Sequence, residues 1–165
     1  MQSFIKKISL QQALEKKLLR PVASLILEKE INNSKKFLIV RKSRKNNAWQ
    51  FPQGGKDDHE NFLQASIREL QEECGKNLKI EFLSLDCIGT YKYFFPDDFI
   101  KKNQKKFLGA DVHFFHAKHI SGKIEIDNNE IIDYKWVKFE ELKNFFEKDY
   151  LSFVENQLIE SLHVR

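Results

Sequence analysis

The stretch from Asn61 to Cys74 constrains this chain most, because the single helix it encodes has to satisfy two opposed faces. With Leu63 as the origin and about 100° per residue, Ile67 falls at about 40°, Leu70 at about 340° and Cys74 at about 20°, a narrow apolar stripe that must face a core. Glu69, Glu72 and Glu73 fall at about 240°, 180° and 280°, sharing an arc away from that stripe. Like charges spaced three and four residues apart cost a helix a few tenths of a kcal/mol each, so their grouping needs a reason. A solvated acidic face is one reason, with Arg68 neutralising Glu72 one turn on. A hard divalent cation is the other. Mg²⁺ takes oxygen ligands, commonly a few carboxylates plus substrate phosphates. Gly54-Gly55, running into the helix, lets backbone come close to a metal or a phosphate. Gly75 stops the helix.

Around this helix the chain reads as one domain. Val22 to Leu27 and Phe37 to Val40 are predicted as buried strands joined by the polar turn Asn32-Asn33-Ser34. A strand-rich stretch runs from Ile80 to Phe95, followed by a charged loop from Pro96 to Lys106. Strands are expected at Asp111 to Ile120 and Lys123 to Ile126, and one or two helices over Phe139 to Leu162. Strands, a helix, more strands and terminal helices make an α/β sandwich with a mixed sheet. The 165 residues fit a single core, and no repeat or low-complexity linker interrupts them. Residues 21–165 are therefore taken as one domain, preceded by a basic segment over 1–20.

That segment carries Lys6, Lys7, Lys16, Lys17 and Arg20 against one acid, Glu15. Leu10, Leu14 and Leu18 recur every four residues, as in an amphipathic helix. Two readings fit: a mitochondrial import segment, or a helix packed on the periphery of the domain. No secretory signal is expected, and the longest apolar runs, such as Leu25-Ile26-Leu27, fall far short of the ~20 residues that cross a membrane. Cys74 and Cys87 have neither metal-ligand nor redox spacing, which points to free thiols in a reducing compartment, cytoplasm or mitochondrial matrix. The formal net charge of +4 is a mild hint of a polyanionic partner.

The pattern Gly54, five residues, Glu60, seven residues, then Arg68-Glu69-Leu70-Gln71-Glu72-Glu73-Cys74-Gly75 resembles the Nudix box at every fixed position. Lys76 stands where that family usually has an apolar residue, and His59 where a Gly often precedes the Glu; neither change removes a metal ligand. The resemblance continues outside the box. Trp49-Gln50-Phe51-Pro52-Gln53-Gly54-Gly55, Arg20-Pro21-Val22, Tyr91-Lys92-Tyr93-Phe94-Phe95-Pro96 and Glu130 to Val137 are similar to segments of the branch that hydrolyses RNA 5′ pyrophosphates and dinucleoside polyphosphates. Gly109-Ala110 stands where that branch usually has Gly-Gln, a departure that bears on substrate.

The resemblance implies a Nudix-type α/β/α sandwich that hydrolyses a phosphoric anhydride by attack of water on phosphorus. Glu69, Glu72 and Glu73 would hold Mg²⁺, or Mn²⁺, and Arg68 would orient the carboxylates by pairing with Glu60 or Glu72. Glu130 is a candidate further ligand or general base, or else an exposed Glu in an acidic turn. Arg20, Arg41, Lys42 and Arg44 are candidates for the substrate polyphosphate, or a solvated basic loop. Lys101, Lys102, Lys105 and Lys106 could follow an RNA backbone, with Tyr93, Phe94 or Phe95 stacking a base where they are not core. His113, His116 and His119 do not make a zinc site, because on a strand His116 points away from the other two. Trp49 and Trp136 are expected in the core.

Three functions follow from these readings. One is an Mg²⁺-dependent pyrophosphohydrolase of 5′-triphosphorylated RNA or dinucleoside polyphosphates. Another is a structural subunit that keeps the fold inside a large ribonucleoprotein; Val112 to Leu142 is also similar to one such protein of the mitochondrial ribosome large subunit. The third is a nucleotide-sugar or nucleoside triphosphate hydrolase.

Overall fold

The computed structural model describes residues 8–103 and 106–163. Among these, eight strands form one mixed sheet: β1 Leu19–Ile31, β2 Ser34–Lys42, β3 Trp49–Gln50, β4 Gln53–Gly55, β5 Lys79–Phe82, β6 Gly89–Phe94, β7 Gly109–Ser121 and β8 Ile131–Val137. Its backbone is β3-β2-β1-β7-β5, with β4 also on β1, β6 on β7 and β8 on β2. β1 runs parallel to β7, from Leu19 opposite Gly109 to Glu28 opposite Lys118, and the other pairings are antiparallel.

The long central strand β1 is buried on both faces, which is why Val22 to Leu27 read as an unbroken apolar run. Its side chains alternate between two cores. Val22 and Ile26 join Phe37, Ile39, Phe51 and Phe114 under the C-terminal segment, through Leu142, Phe146, Val154 and Leu158. Leu25 and Leu27 join Leu38, Val40 and Phe115 under Leu70 and Cys74. The latter two belong to the helix Phe62–Cys74, so the architecture is the expected α/β/α sandwich.

That helix follows α1 (Leu10–Glu15) in the chain and is called α2. Asn61 caps it reciprocally: its side chain accepts from the Gln64 N–H at 2.8 Å, and the Gln64 side chain accepts from the Asn61 N–H at 2.9 Å. Asn61→Ala should therefore lower stability by about 1 kcal/mol in a denaturant titration while leaving the fold unchanged.

Several boundaries differ from the sequence expectation. β1 starts before Pro21, because parallel pairing with β7 carries the extended chain back to Leu19. α1 stops at Glu15 and excludes Leu18; Lys17 turns left-handed (φ 58°), while the Lys17 and Leu18 N–H groups close back on Leu14 and Ala13. Lys6 and Lys7 lie outside the described residues. The charged loop contains a helix, α3 (Asp97–Asn103), whose two leading aspartates suit its N-terminal dipole. Lys123 to Ile126 joins no strand ladder; it crosses the end of α2, where the Glu125 N–H donates to the Cys74 carbonyl at 2.6 Å. The terminal helix is broken into a 3₁₀ turn (Phe139–Asn144), α4 (Lys148–Phe153) and a π-turn (Val154–Leu158). Both cysteines are free, Cys74 buried and Cys87 exposed. No helix of the described residues is long and apolar enough to cross a membrane.

Candidate functional site

α2 lays its carboxylates beside the loop that precedes it, and the loop is held from both layers. Pro52 accepts from the Leu25 N–H and the Ser24 hydroxyl, each at 3.0 Å, while the Phe51 N–H donates to the Tyr150 hydroxyl at 3.1 Å. Gln53, Gly54 and Gly55 then pair with β1 as β4. A side chain at Gly54 would place its Cβ 2.1 Å from the Glu69 carboxyl carbon, and one at Gly55 would lie 2.4 Å from Arg20 Nη2. The two glycines thus let backbone sit directly against a carboxylate and a guanidinium.

Arg68 is the clasp of the site. Its Nε and Nη2 donate to Glu60, its Nη2 also to the Gly55 carbonyl at 2.8 Å, and its Nη1 to Glu69 at 3.0 Å and Glu72 at 2.9 Å. It meets both partners named from the sequence and Glu69 besides. The hydrogen bond to Arg68 holds Glu60 down at about 2, and the same bond raises the guanidinium. Glu69 is largely buried and pushed upward by that burial.

Glu73 is not on a solvated face, contrary to the wheel's simplest reading. Its side chain is 3% exposed, because β4 and the end of β2 close over that side of α2. Lys42 continues the β2 row of Leu38 and Val40 toward the helix, so its ammonium is buried too. That ammonium donates to Glu73, to the Gln53 carbonyl at 3.0 Å and to Glu130 at 3.3 Å. The Gln53 N–H reaches the other Glu73 oxygen at 3.3 Å. Burial pushes Glu73 up to about 7 against the pull of Lys42, and Glu69 and Glu130 add to the rise. Glu130 arrives at the start of β8 with its side chain 46% exposed.

Six carboxylates, Asp57, Glu60, Glu69, Glu72, Glu73 and Glu130, therefore meet two cations, Arg68 and Lys42. Among the described residues no three of these side chains are already gathered into a metal cage. The surplus of negative charge, the all-oxygen chemistry and the close glycine backbone are what suit a hard divalent cation such as Mg²⁺ or Mn²⁺, which commonly takes only a few carboxylates beside substrate phosphates.

The polyphosphate candidates are divided by the fold. Arg20 lies against Gly55, next to the clasp. Arg41 donates to the Asn47 carbonyl at 3.4 Å in the exposed loop, and Arg44 is exposed in the same loop. Lys42 faces the carboxylates instead. Tyr93 and Phe95 pack against the C-terminal core; Phe94, half-buried, alternates to the other face of the sheet. Lys105 lies outside the described residues, as do the side chains of Lys101 and Lys102.

The three histidines separate as expected. His116 is buried against Glu28 at 2.5 Å, His119 contacts the Gly122 carbonyl at 2.8 Å, and His113 contacts Asp111 at 3.0 Å. Trp49 packs edge-on against Phe145, and Trp136 against His119. Sequence reasoning missed the roles of Gln53 and Tyr150, and the stacking of Phe62 on His113 at 3.7 Å. Gln53 acts through its backbone and Tyr150 from far along the chain, so no local signal marked either.

Comparison with known proteins places the chain among relatives of similar sequence and fold. The family model described as NUDIX domain matches residues 19–157. An RNA pyrophosphohydrolase of a Nitratiruptor species is 34% identical over 139 residues, covering 80% of this chain and 86% of that protein. An RNA pyrophosphohydrolase of Campylobacter jejuni is 33% identical over 142 residues, covering 78% and 84%. Among solved structures, a C. elegans Ap4A hydrolase binary complex superposes with a TM-score of 0.69 at 22% identity, covering 88% of this chain and 98% of that one.

Proposed function

The chain belongs to the Nudix hydrolase family, and on that premise we propose that it is an Mg²⁺-dependent pyrophosphohydrolase of 5′-triphosphorylated RNA, with dinucleoside polyphosphates as the other substrate class. The observation that carries this reading is the carboxylate cluster clasped by Arg68 beneath the Gly54-Gly55 backbone. The names of the similar proteins support the choice of RNA over other anhydrides. The same reading takes residues 21–165 as the catalytic domain, 1–20 as an accessory segment, and cytoplasm or mitochondrial matrix as the site of action.

Glu69, Glu72 and Glu73 would hold the divalent ion. When bound, such an ion neutralises phosphate oxygens and makes water a stronger nucleophile. Arg68 keeps the carboxylates in one geometry before substrate arrives, so little reorganisation is left for the reaction itself. Glu130 would accept a proton from the attacking water; solvent reaches its carboxylate while Lys42 holds one oxygen, which supports that role. Arg20, beside Gly55, and Arg41 and Arg44, at the exposed loop before the box, would bind the outer phosphates. Water's oxygen bonds to phosphorus, the anhydride P–O bond breaks, and the leaving phosphate takes the electron pair.

The test is to incubate the protein with Mg²⁺ and either 5′-triphosphorylated RNA or diadenosine tetraphosphate, and to separate the products. Conversion of the RNA to its 5′-monophosphate form is the expected result. Turnover of the dinucleotide alone would move the substrate to the second class, and turnover of a nucleoside triphosphate or nucleotide sugar alone to a third. Folded protein inactive on all of these, with Mn²⁺ also tried, would leave the role of a structural subunit in a ribonucleoprotein. A retired fold, however, has no physical need for four cooperating box side chains.

A further inference from the structure

A second basic feature lies outside the catalytic cluster. Between α1, the start of β1 and the chain before β7 is a cleft of about 490 Å³. Leu14, Leu18 and Phe107 give it an apolar wall, and Lys16, Lys17 and Lys106 rim it. None of these lysines has an ion-pair partner among the described residues. The one acid in the lining, Asp111, is already engaged by His113 at 3.0 Å and Lys92 at 3.5 Å. The cleft is therefore positively charged with an apolar interior.

Its position ties it to the reaction site. Pro21 lines it, and the Pro21 carbonyl accepts from the Lys56 N–H at 2.9 Å; the preceding residue, Gly55, carries the carbonyl held by Arg68. From the other side, Asp111 shares β7 with His113, whose ring stacks on Phe62 in the first turn of α2. Phe62 and Glu69 are seven residues apart on α2, about 10 Å of helix. A chain whose 5′ phosphates sit at the carboxylates would reach the cleft with its first nucleotides.

Lys17 adds an independent observation. It is the left-handed residue closing α1, with its N–H on the Leu14 carbonyl at 3.0 Å and the Leu18 N–H on Ala13 at 2.8 Å. Glycine is the usual occupant of such a position, and a lysine there is strained. A strained residue with a free ammonium on a cleft rim serves the cleft better than the fold.

We propose that this cleft binds the single-stranded RNA that follows the 5′ phosphates, with Lys16, Lys17 and Lys106 on the phosphodiesters and Leu14, Leu18 and Phe107 against a base. The proposal rests on RNA being the substrate, and its test reads binding rather than turnover. A fluorescent 5′-hydroxyl oligoribonucleotide of about eight nucleotides, which offers no anhydride to cleave, is titrated by anisotropy over a salt series in EDTA. The slope of log affinity against log salt should flatten by about 0.7 in Lys17→Gly and by about 2 in the triple variant Lys16→Ala/Lys17→Gly/Lys106→Ala. Lys17→Gly should at the same time raise Tm, since it relieves the left-handed strain; a purely structural lysine would not show both changes. Lys76→Ala, at the far end of α2, is the control and should leave the slope unaltered. An unaltered slope in the triple variant overturns the proposal, as does wild-type protein that binds anionic lipid vesicles but no RNA. RNA binding that depends on these lysines without hydrolysis would instead refute only the catalytic reading.

Discussion

Glu72→Gln should abolish turnover while leaving the fold intact. Glu72 is 55% exposed and pairs with Arg68 one turn away, so the amide costs the metal-free protein little more than one surface ion pair, under about 1 kcal/mol. In the proposed role of metal ligand it would matter far more. Replacing an anionic oxygen donor by an amide removes several kcal/mol of charge stabilisation from the transition state, a loss on the order of 10³-fold or more in kcat. Measuring Tm, Mn²⁺ affinity and initial rates on the same preparation separates these effects. An active variant with unaltered metal affinity would show that Glu72 belongs to a solvated face.

Lys42→Met should have the opposite profile, a large effect on stability. Lys42 and Glu73 are both buried, and removing one member of a buried pair typically costs about 3–5 kcal/mol because the remaining charge is stranded. The pH dependence follows from Glu73. Its folded value is already raised to about 7 from an ordinary 4.5, and without Lys42 it rises further. A carboxyl raised in the folded state binds protons more tightly there than when unfolded, so stability falls as pH rises above about 4.5. The variant's deficit should therefore be larger at pH 8 than at pH 5 in denaturant titrations. Mg²⁺ or Mn²⁺ should recover part of it at pH 8 by supplying the missing positive charge. A deficit independent of both pH and metal would mean that Lys42 acts through packing of its stem alone.

The carboxylate-bearing helix α2 was readable because its signals are local. A 3.6-residue period places Leu70 and Cys74 inward, and Gly75 closes the C-terminal end. The buried strands were readable from β1's apolar run, and the Asn32-Asn33 turn from residues that tolerate positive φ, here 54° and 62°. Boundaries were less readable wherever long-range pairing overrides local preference. β1 extends to Leu19 because β7 is there to pair with it, whereas Lys123 to Ile126 has a strand-like composition but no partner strand. The short helix Asp97–Asn103 was hidden by its charge, since a polar segment without an apolar stripe gives no periodic signal.

The sequence by itself determined the family, the layered fold and the carboxylates of α2, because the Nudix box gathers those side chains into positions 54–75, where spacing dictates which face each takes, and the order of strands and helices prescribes the layers. Only the tertiary structure decided how those carboxylates differ. Glu72 stays in water, Glu69 is tucked against Gly54, and Glu73 is buried with Lys42, because β2 and β4 close over one side of the helix and leave the other open. Burial and charge pairing depend on residues distant in the chain, as with Lys42 on Glu73 or Tyr150 on Phe51, and no period within one segment encodes such a contact.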